Sequence, residues 1–214
     1  AATPVNPAFT ATEARHQLDD SGAAVVITTD GTSPLDTVAA IGVDAIATSS
    51  TRAIAPVALS TEALALLVYN SGSTGRPKGV MITHGNAEAM SSTMAAHFAL
   101  TADDHCMLIL PLFHVNAIMV SALASLRVGG RLSVVGAFSP ARFFDDVERL
   151  RPTYFSAVPT IYALLTSLPE DVQPDTSSLR FVVCGAAPVS RELLEASRTR
   201  YGFTILEGYG LTEG

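Results

Sequence analysis

Lysine, cysteine and tryptophan are nearly missing from this chain of 214 residues: it has one lysine, two cysteines and no tryptophan. Two cysteines are too few for a disulfide-knit scaffold. Cys106 and Cys184 each lie in apolar sequence, so two buried reduced thiols are expected, with a lone disulfide as the alternative. No Cys/His spacing fits a metal site. Positive charge is also scarce, with thirteen Lys+Arg against twenty Asp+Glu and a net charge of -7. That excludes nucleic acid as the main partner, because phosphate backbones demand a basic surface. A hydrophobic content of 48% excludes a disordered tail. Residues 106 to 126 carry no formal charge and are long enough to cross a bilayer. Pro111, His114 and Asn116 interrupt the run, so it reads as a buried strand, a loop and a helix, and no transmembrane segment is expected. Ala1-Ala2-Thr3-Pro4 has no initiator Met and none of the basic and apolar regions of a signal peptide. The start therefore reads as the interior of a longer protein, and the expected location is cytoplasmic.

Short apolar runs alternate with amphipathic stretches along the whole length. Helices are expected at Thr10 to Asp20, at Ser33 to Gly42, at His84 to His97, at Asn116 to Leu126, at Pro140 to Leu150, near Pro159 to Leu168 and near Val189 to Tyr201. Thr10 and Glu13 have capping-box spacing, and Gly22 supplies the stop. Strands are expected at Ala23 to Thr28, Asp44 to Thr48, Ala63 to Tyr69, Gly79 to Thr83, Met107 to Leu110, Arg131 to Val135, Thr153 to Val158, Leu179 to Cys184 and Phe203 to Leu206. A loop is expected from Thr48 through Pro56. Fully apolar strands between helices imply an α/β fold with largely parallel sheets covered on both faces.

The single lysine, Lys78, stands in the densest Gly/Ser/Thr cluster: Tyr69-Asn70-Ser71-Gly72-Ser73-Thr74-Gly75-Arg76-Pro77-Lys78-Gly79-Val80. Glycines let a backbone approach a ligand closely, and hydroxyls with one cation add donors and charge suited to a polyphosphate. A surface hairpin is the plain alternative. A Walker loop is excluded, because Pro77 and Gly79 flank the lysine where that motif needs Gly and Ser/Thr.

This segment resembles the signature loop of the adenylate-forming superfamily, which includes acyl-CoA synthetases, luciferases and peptide-synthetase adenylation domains. Three more segments match in order: Leu110-Pro111-Leu112-Phe113-His114-Val115, Gly185-Ala186-Ala187-Pro188, and Glu207-Gly208-Tyr209-Gly210-Leu211-Thr212-Glu213. Pro4-Val5-Asn6-Pro7 and Leu18-Asp19-Asp20-Ser21-Gly22 are similar to a stretch upstream of the loop. The resemblance covers nearly the whole chain. It implies that residues 1–214 are part of the large N-terminal domain of an acyl-CoA synthetase, without the C-terminal lid domain.

The implied activity is an acid–thiol ligase: ATP activates a carboxylic acid to an acyl-adenylate, and coenzyme A then displaces AMP. A carboxylate is already ionised at pH 7, so no general base is required. By resemblance, Ser71, Gly72, Ser73, Thr74, Gly75 and Lys78 hold the β- and γ-phosphates. Gly185, Ala186, Ala187, Glu207, Gly208, Tyr209 and Gly210 lie about the adenylate, with Tyr209 stacked on adenine. Thr212 donates to the α-phosphate and Glu213 binds Mg²⁺. His114 stands at the mouth of the acyl pocket with Asn116 facing the substrate. Thr74, Lys78, His114, Thr212 and Glu213 form the expected catalytic set.

The implied partners are a carboxylic acid, ATP or AMP, and coenzyme A, with a homodimer admitted. Apolar residues at 116–120 and 155–162 allow an aliphatic or aryl tail, the former consistent with fatty acid metabolism. Two alternatives stay open: an adenylation domain loading an amino acid or acyl group onto a carrier protein, and a catalytically incomplete nucleotide-binding module. Tyr209-Gly210-Leu211-Thr212-Glu213 favours the CoA ligase over the peptide-synthetase type, whose usual motif has Pro in place of Leu211. Glu207 stands where many acyl-CoA ligases carry Gln, and Asn116 where glycine or an aromatic is frequent. The family's second adenylation lysine belongs to the lid, so this stretch is expected to hold ATP without completing adenylation efficiently alone. Asp103-Asp104 and Asp145-Asp146 are read as solvated or helix-compensated carboxylates without chemistry, and His16, His84, His97 and His105 are given none.

Overall fold

Two sequence-separated units make up the chain, residues 1–85 and 86–214, and the boundary falls in the first turn of a shared helix. The computed structural model describes residues 1–48, 55, 57–70 and 76–214.

In the first unit, helix α1 (Ala11–Ser21) opens on the expected capping box and ends at Gly22, whose φ of 62° suits a residue without Cβ. Strands β1 (Val25–Thr28) and β2 (Ala39–Gly42) pair in parallel. The helix expected from Ser33 to Gly42 is absent. Ala39 to Gly42 finds a ladder partner in β1, while Leu35 and Val38 turn inward to pack with Leu18. The strand expected at Asp44 to Thr48 is instead the short helix α2 (Val43–Thr48). Among the described residues it pairs with no strand, and Asp44 in the first turn complements the helix dipole. The loop expected up to Pro56 lies largely outside the described residues. Strands β3 (Leu64–Asn70) and β4 (Lys78–Thr83) form an antiparallel hairpin in which Asn70 opposes Lys78.

The second unit carries three of the four motif segments. Helix α3 (His84–His97) leads to β5 (His105–Leu108), which begins two residues earlier than the sequence suggests. A π-helix (Ala117–Leu123) then runs directly into α4 (Ala124–Arg127). The run from Cys106 is thus a buried strand, a loop and a helix, and no helix among the described residues is long and apolar enough to cross a membrane. The remaining order is β6 (Arg131–Val134), α5 (Pro140–Leu150), β7 (Tyr154–Ala157), α6 (Pro159–Thr166), β8 (Val182–Cys184), α7 (Arg191–Tyr201) and β9 (Ile205–Glu207).

Five strands form one parallel sheet in the order β6-β5-β7-β8-β9. Alternation along each strand sorts its side chains between two cores. Met107, Phe155, Ala157, Val182 and Cys184 meet Phe143, Phe144 and Val147 of α5, Ile161, Tyr162 and Leu165 of α6, and Tyr201 of α7. Cys106, Tyr154 and Val183 meet Ala95 and Phe98 near α3 and Ala124 of α4. Both cysteines are buried free thiols, and burial pushes each up, Cys106 to about 12 and Cys184 to about 11.

The amino-terminal edge of the sheet is tied by Asp104, which is 2% exposed. Its carboxylate accepts from Thr101 N–H (2.8 Å), from Thr153 Oγ1 (2.7 Å) and from the Arg180 guanidinium. This corrects the reading of Asp104 as a solvated turn residue: three segments meet there, and their donors take the place of solvent around the buried carboxylate. His105 is buried beside it, with Nε2 2.8 Å from Ser133 Oγ.

Candidate active site

Parallel strands connected through helices expose their carboxyl ends along one edge, and a crevice opens where successive connections diverge to opposite sides. Here β5 connects to β6 on one side, through the π-helix and α4. The chain then returns through α5 to β7 on the other side of β5. The divergence lies between β5 and β7. Three expected site segments leave the sheet along this same edge. Leu110 to His114 follows β5, Gly185 to Pro188 follows β8, and Glu207 ends β9 with Gly208 to Glu213 beyond it.

His114 begins the turn into the π-helix. Its N–H donates to Pro111 O (3.1 Å), its carbonyl accepts from Ile118 N–H (3.3 Å), and its ring packs on Phe113 at 4.5 Å between centroids. Partial desolvation holds the imidazole below its ordinary value, so it is neutral at pH 7. Asn116, at the entry to the π-helix, accepts a 2.8 Å hydrogen bond at Oδ1 from Ser156 Oγ. Ser156 is on β7 and 1% exposed.

Gly185 continues the ladder by donating to Ala157 O (3.1 Å). A Cβ at this position would lie 2.9 Å from Asn116 Nδ2, so any larger residue here would displace the Asn116 amide. Ala186 follows with φ of 69°, a left-handed conformation unusual outside glycine and costly for it. Gly208 donates to Cys184 O (2.8 Å), carrying the chain out of the sheet to Tyr209, whose side chain is 96% exposed. Leu211 N–H donates to Gly214 O (2.8 Å), and the resulting turn carries Thr212, half-buried, and Glu213, exposed. Among the described residues no three His, Cys, Asp or Glu gather as a metal cage. A solvent-facing carboxylate such as Glu213 still fits Mg²⁺, which retains waters and is commonly shared between one or two carboxylates and substrate phosphates.

In the first unit, Lys78 is the exposed first residue of β4. Ser71, Gly72, Ser73, Thr74 and Gly75 lie outside the described residues. The described residues on either side of them, Tyr69 and Pro77, bond to α1. Tyr69 Oη donates to Asp20 Oδ2 (2.6 Å), and His16 Nε2 donates to the Pro77 carbonyl (3.4 Å). A Cβ on Gly79 would meet the Leu67 side chain at 2.9 Å, so this glycine lets the hairpin pack over its own neighbour.

The motifs did not point to Ser156 or His16, and Asp20, inside a segment that resembles the family, was given no role. Ser156 carries a signal in the sequence, being the one aliphatic hydroxyl in the run Tyr154-Phe155-Ser156-Ala157-Val158. Nothing comparable marks His16, and the contacts of Asp20 and His16 span 49 and 61 residues.

A family model described as AMP-binding enzyme matches residues 1–214. A feruloyl-CoA synthase of an Amycolatopsis species is 36% identical over 98% of this chain and 44% of its own length. An oxalate–CoA ligase of Arabidopsis thaliana is 31% identical over 99% of this chain and 46% of its own. Among solved structures, ATP-bound MatB of Rhodopseudomonas palustris is similar with a TM-score of 0.86 and 27% identity, over 99% of this chain and 44% of that one. The o-succinylbenzoate coenzyme A synthetase of Bacillus subtilis, in complex with ATP and magnesium, gives 0.85 and 31% over 98% and 44%. The chain spans less than half the length of these relatives. By sequence and by fold, the chain belongs to the AMP-binding enzyme family, the adenylate-forming superfamily.

Proposed function

We propose that the protein containing this chain activates a carboxylic acid with ATP and transfers the acyl group to coenzyme A. The supporting observation is the convergence of three motif segments at the carboxyl edge of one parallel sheet, about the divergence of β5 and β7. The substrate carboxylate is ionised at pH 7 and attacks the α-phosphorus, with the P–O bond to pyrophosphate breaking as the acyl–O–P bond forms. No proton moves in this step, so the site needs positioning and charge neutralisation more than a base. Ser71, Gly72, Ser73, Thr74 and Gly75 supply amides and hydroxyls to the β- and γ-phosphates, and Lys78 the positive charge. Thr212 donates to the α-phosphate, and the exposed Tyr209 ring covers the adenine beside Gly185, Ala186, Ala187 and Gly208. Glu207 and Gly210 bracket that ring. Glu213 would hold Mg²⁺, which when bound neutralises phosphate charge. His114, neutral at pH 7, lines the mouth of the acyl pocket with Asn116 and places no second charge beside the reacting carboxylate. Coenzyme A thiolate then attacks the acyl carbon and releases AMP. Two buried thiols suit a reducing cytoplasm.

Hydroxamate trapping on the full-length gene product, with fatty, aromatic and dicarboxylic acids, tests this reading. Acyl-hydroxamate should form with at least one acid, only with ATP present, and coenzyme A should divert it to thioester. Trapping that only a carrier protein diverts would favour the carrier-loading alternative. An intact protein that binds ATP but traps no acid would be a nucleotide-binding module.

A further inference from the structure

We infer that Ser156 is a positioning residue that turns the Asn116 carboxamide so that its NH₂ group meets an acceptor oxygen on the acyl part of the acid, an inference resting on the acid-activating reading above. An asparagine side chain has one acceptor oxygen and two N–H donors, and whichever end is claimed by protein decides which end a ligand meets. Ser156 and Tyr154 alternate with Phe155 on β7, so Ser156 faces the side of the sheet where the π-helix and α4 pack. From there its hydroxyl donates to Asn116 Oδ1 at 2.8 Å and occupies the acceptor. Nδ2 is left over Gly185, near enough that a Cβ there would stand 2.9 Å away. Among the described residues no acceptor takes an N–H from Nδ2. The amide therefore reaches from the end of β5, across β7, toward the end of β8, over the edge where the connections diverge.

The surroundings select the ligand chemistry. No charged side chain bonds to Asn116 or Ser156 among the described residues. Ala117, Ile118 and Met119 follow Asn116 as buried apolar residues. Polyphosphate calls for cations or clustered backbone amides. A neutral NH₂ with no charged partner suits a neutral oxygen such as a keto or ether group, and an all-hydrocarbon chain laid against it would leave its N–H groups unpaired. The acid activated at this site therefore carries an acceptor oxygen along its chain.

The test uses the full-length protein and a series of acids of equal length, each with one chain methylene replaced by an ether oxygen at a successive position. The wild type should prefer one ether position over the all-methylene acid in kcat/KM. Ser156→Ala should reduce that preference about three- to tenfold, the size of one neutral hydrogen bond, and leave KM for ATP unchanged. Ser156→Cys keeps the buried volume with a weak donor and should lose preference in the same direction. In an Asn116→Leu background, Ser156→Ala should alter the preference no further. The inference is overturned by a wild type without ether preference, by equal losses for ether and methylene acids, by a shift in KM for ATP instead, or by a further loss in the Asn116→Leu background. A wild type inactive with every acid overturns the acid-activating reading as well. Activity with unchanged selectivity overturns the Ser156 inference alone.

Discussion

Replacing Asp104 with asparagine should destabilise the protein substantially, far from the candidate site and without changing its chemistry. Every neighbour of this carboxylate is a donor: Thr101 N–H, Thr153 Oγ1 and Arg180. Asparagine retains one acceptor oxygen and sets an NH₂ against one of those donors. A buried donor left unsatisfied costs about 1–3 kcal/mol. Loss of charge roughly halves the strength of the bonds that remain. The Arg180 side chain is 44% exposed, so the ion pair itself adds no more than about 1 kcal/mol. Together these give a loss of about 2–4 kcal/mol, or a Tm lower by about 5–15 °C for a protein of this size. Burial alone would push the Asp104 carboxyl up, but the hydrogen bonds from Thr153, Arg180 and Thr101 outweigh it and hold the group below its ordinary value. A folded value below the unfolded one means that the charge contributes stability above the unfolded pKa of about 3.9 and loses it as pH falls through the folded value. The gap between wild type and Asp104→Asn in urea unfolding should be full at pH 7 and narrow below about pH 4. A gap under about 1 kcal/mol, or one that does not narrow in acid, would refute the assignment of Asp104 as a charged hub.

Ala186→Gly should raise stability by up to about 1 kcal/mol in urea unfolding, since the left-handed conformation costs alanine more than glycine. A decrease would mean that this backbone is not strained. Gly130→Ala should cost about 1–3 kcal/mol, because its Cβ would stand 2.9 Å from Asp104 O and 3.1 Å from Ser125 O, both backbone carbonyls. Neutral urea midpoints would contradict that crowding. Lys78→Ala in the full-length protein should raise KM for ATP at least about tenfold, as expected for loss of one charge-assisted phosphate contact. An unchanged KM in steady-state kinetics would remove Lys78 from the phosphate site.

How much of this was legible in the sequence depended on the range of the interactions. α1, α3 and α5 announce themselves through a local capping box, a bounded helical run and a proline at the first helical turn. Ser33 to Gly42 and Asp44 to Thr48 were misread because a strand is defined by its partner. Ala39 to Gly42 pairs with β1, whereas Val43 to Thr48 pairs with no strand among the described residues and closes its hydrogen bonds within a helix. Leu179 to Phe181 looks strand-like yet stays outside β8, its backbone turning instead to Thr153 O through Arg180 N–H. The motif segments could be located by their residue types, whereas their common edge follows from strand order, a property no single segment carries. Asp104 and Ser156 were missed for the same reason: apart from Thr101, the Asp104 partners lie 49 and 76 residues away, and the Ser156 partner 40.

Acid-dependent exchange of labelled pyrophosphate into ATP by the full-length protein tests the central claim most directly, because it reads formation of the acyl-adenylate before any thiol is involved. Exchange should appear with at least one carboxylic acid, vanish without acid, and fall sharply in Lys78→Ala and Glu213→Ala. ATP binding with no acid-dependent exchange across fatty, aromatic and dicarboxylic acids would contradict it.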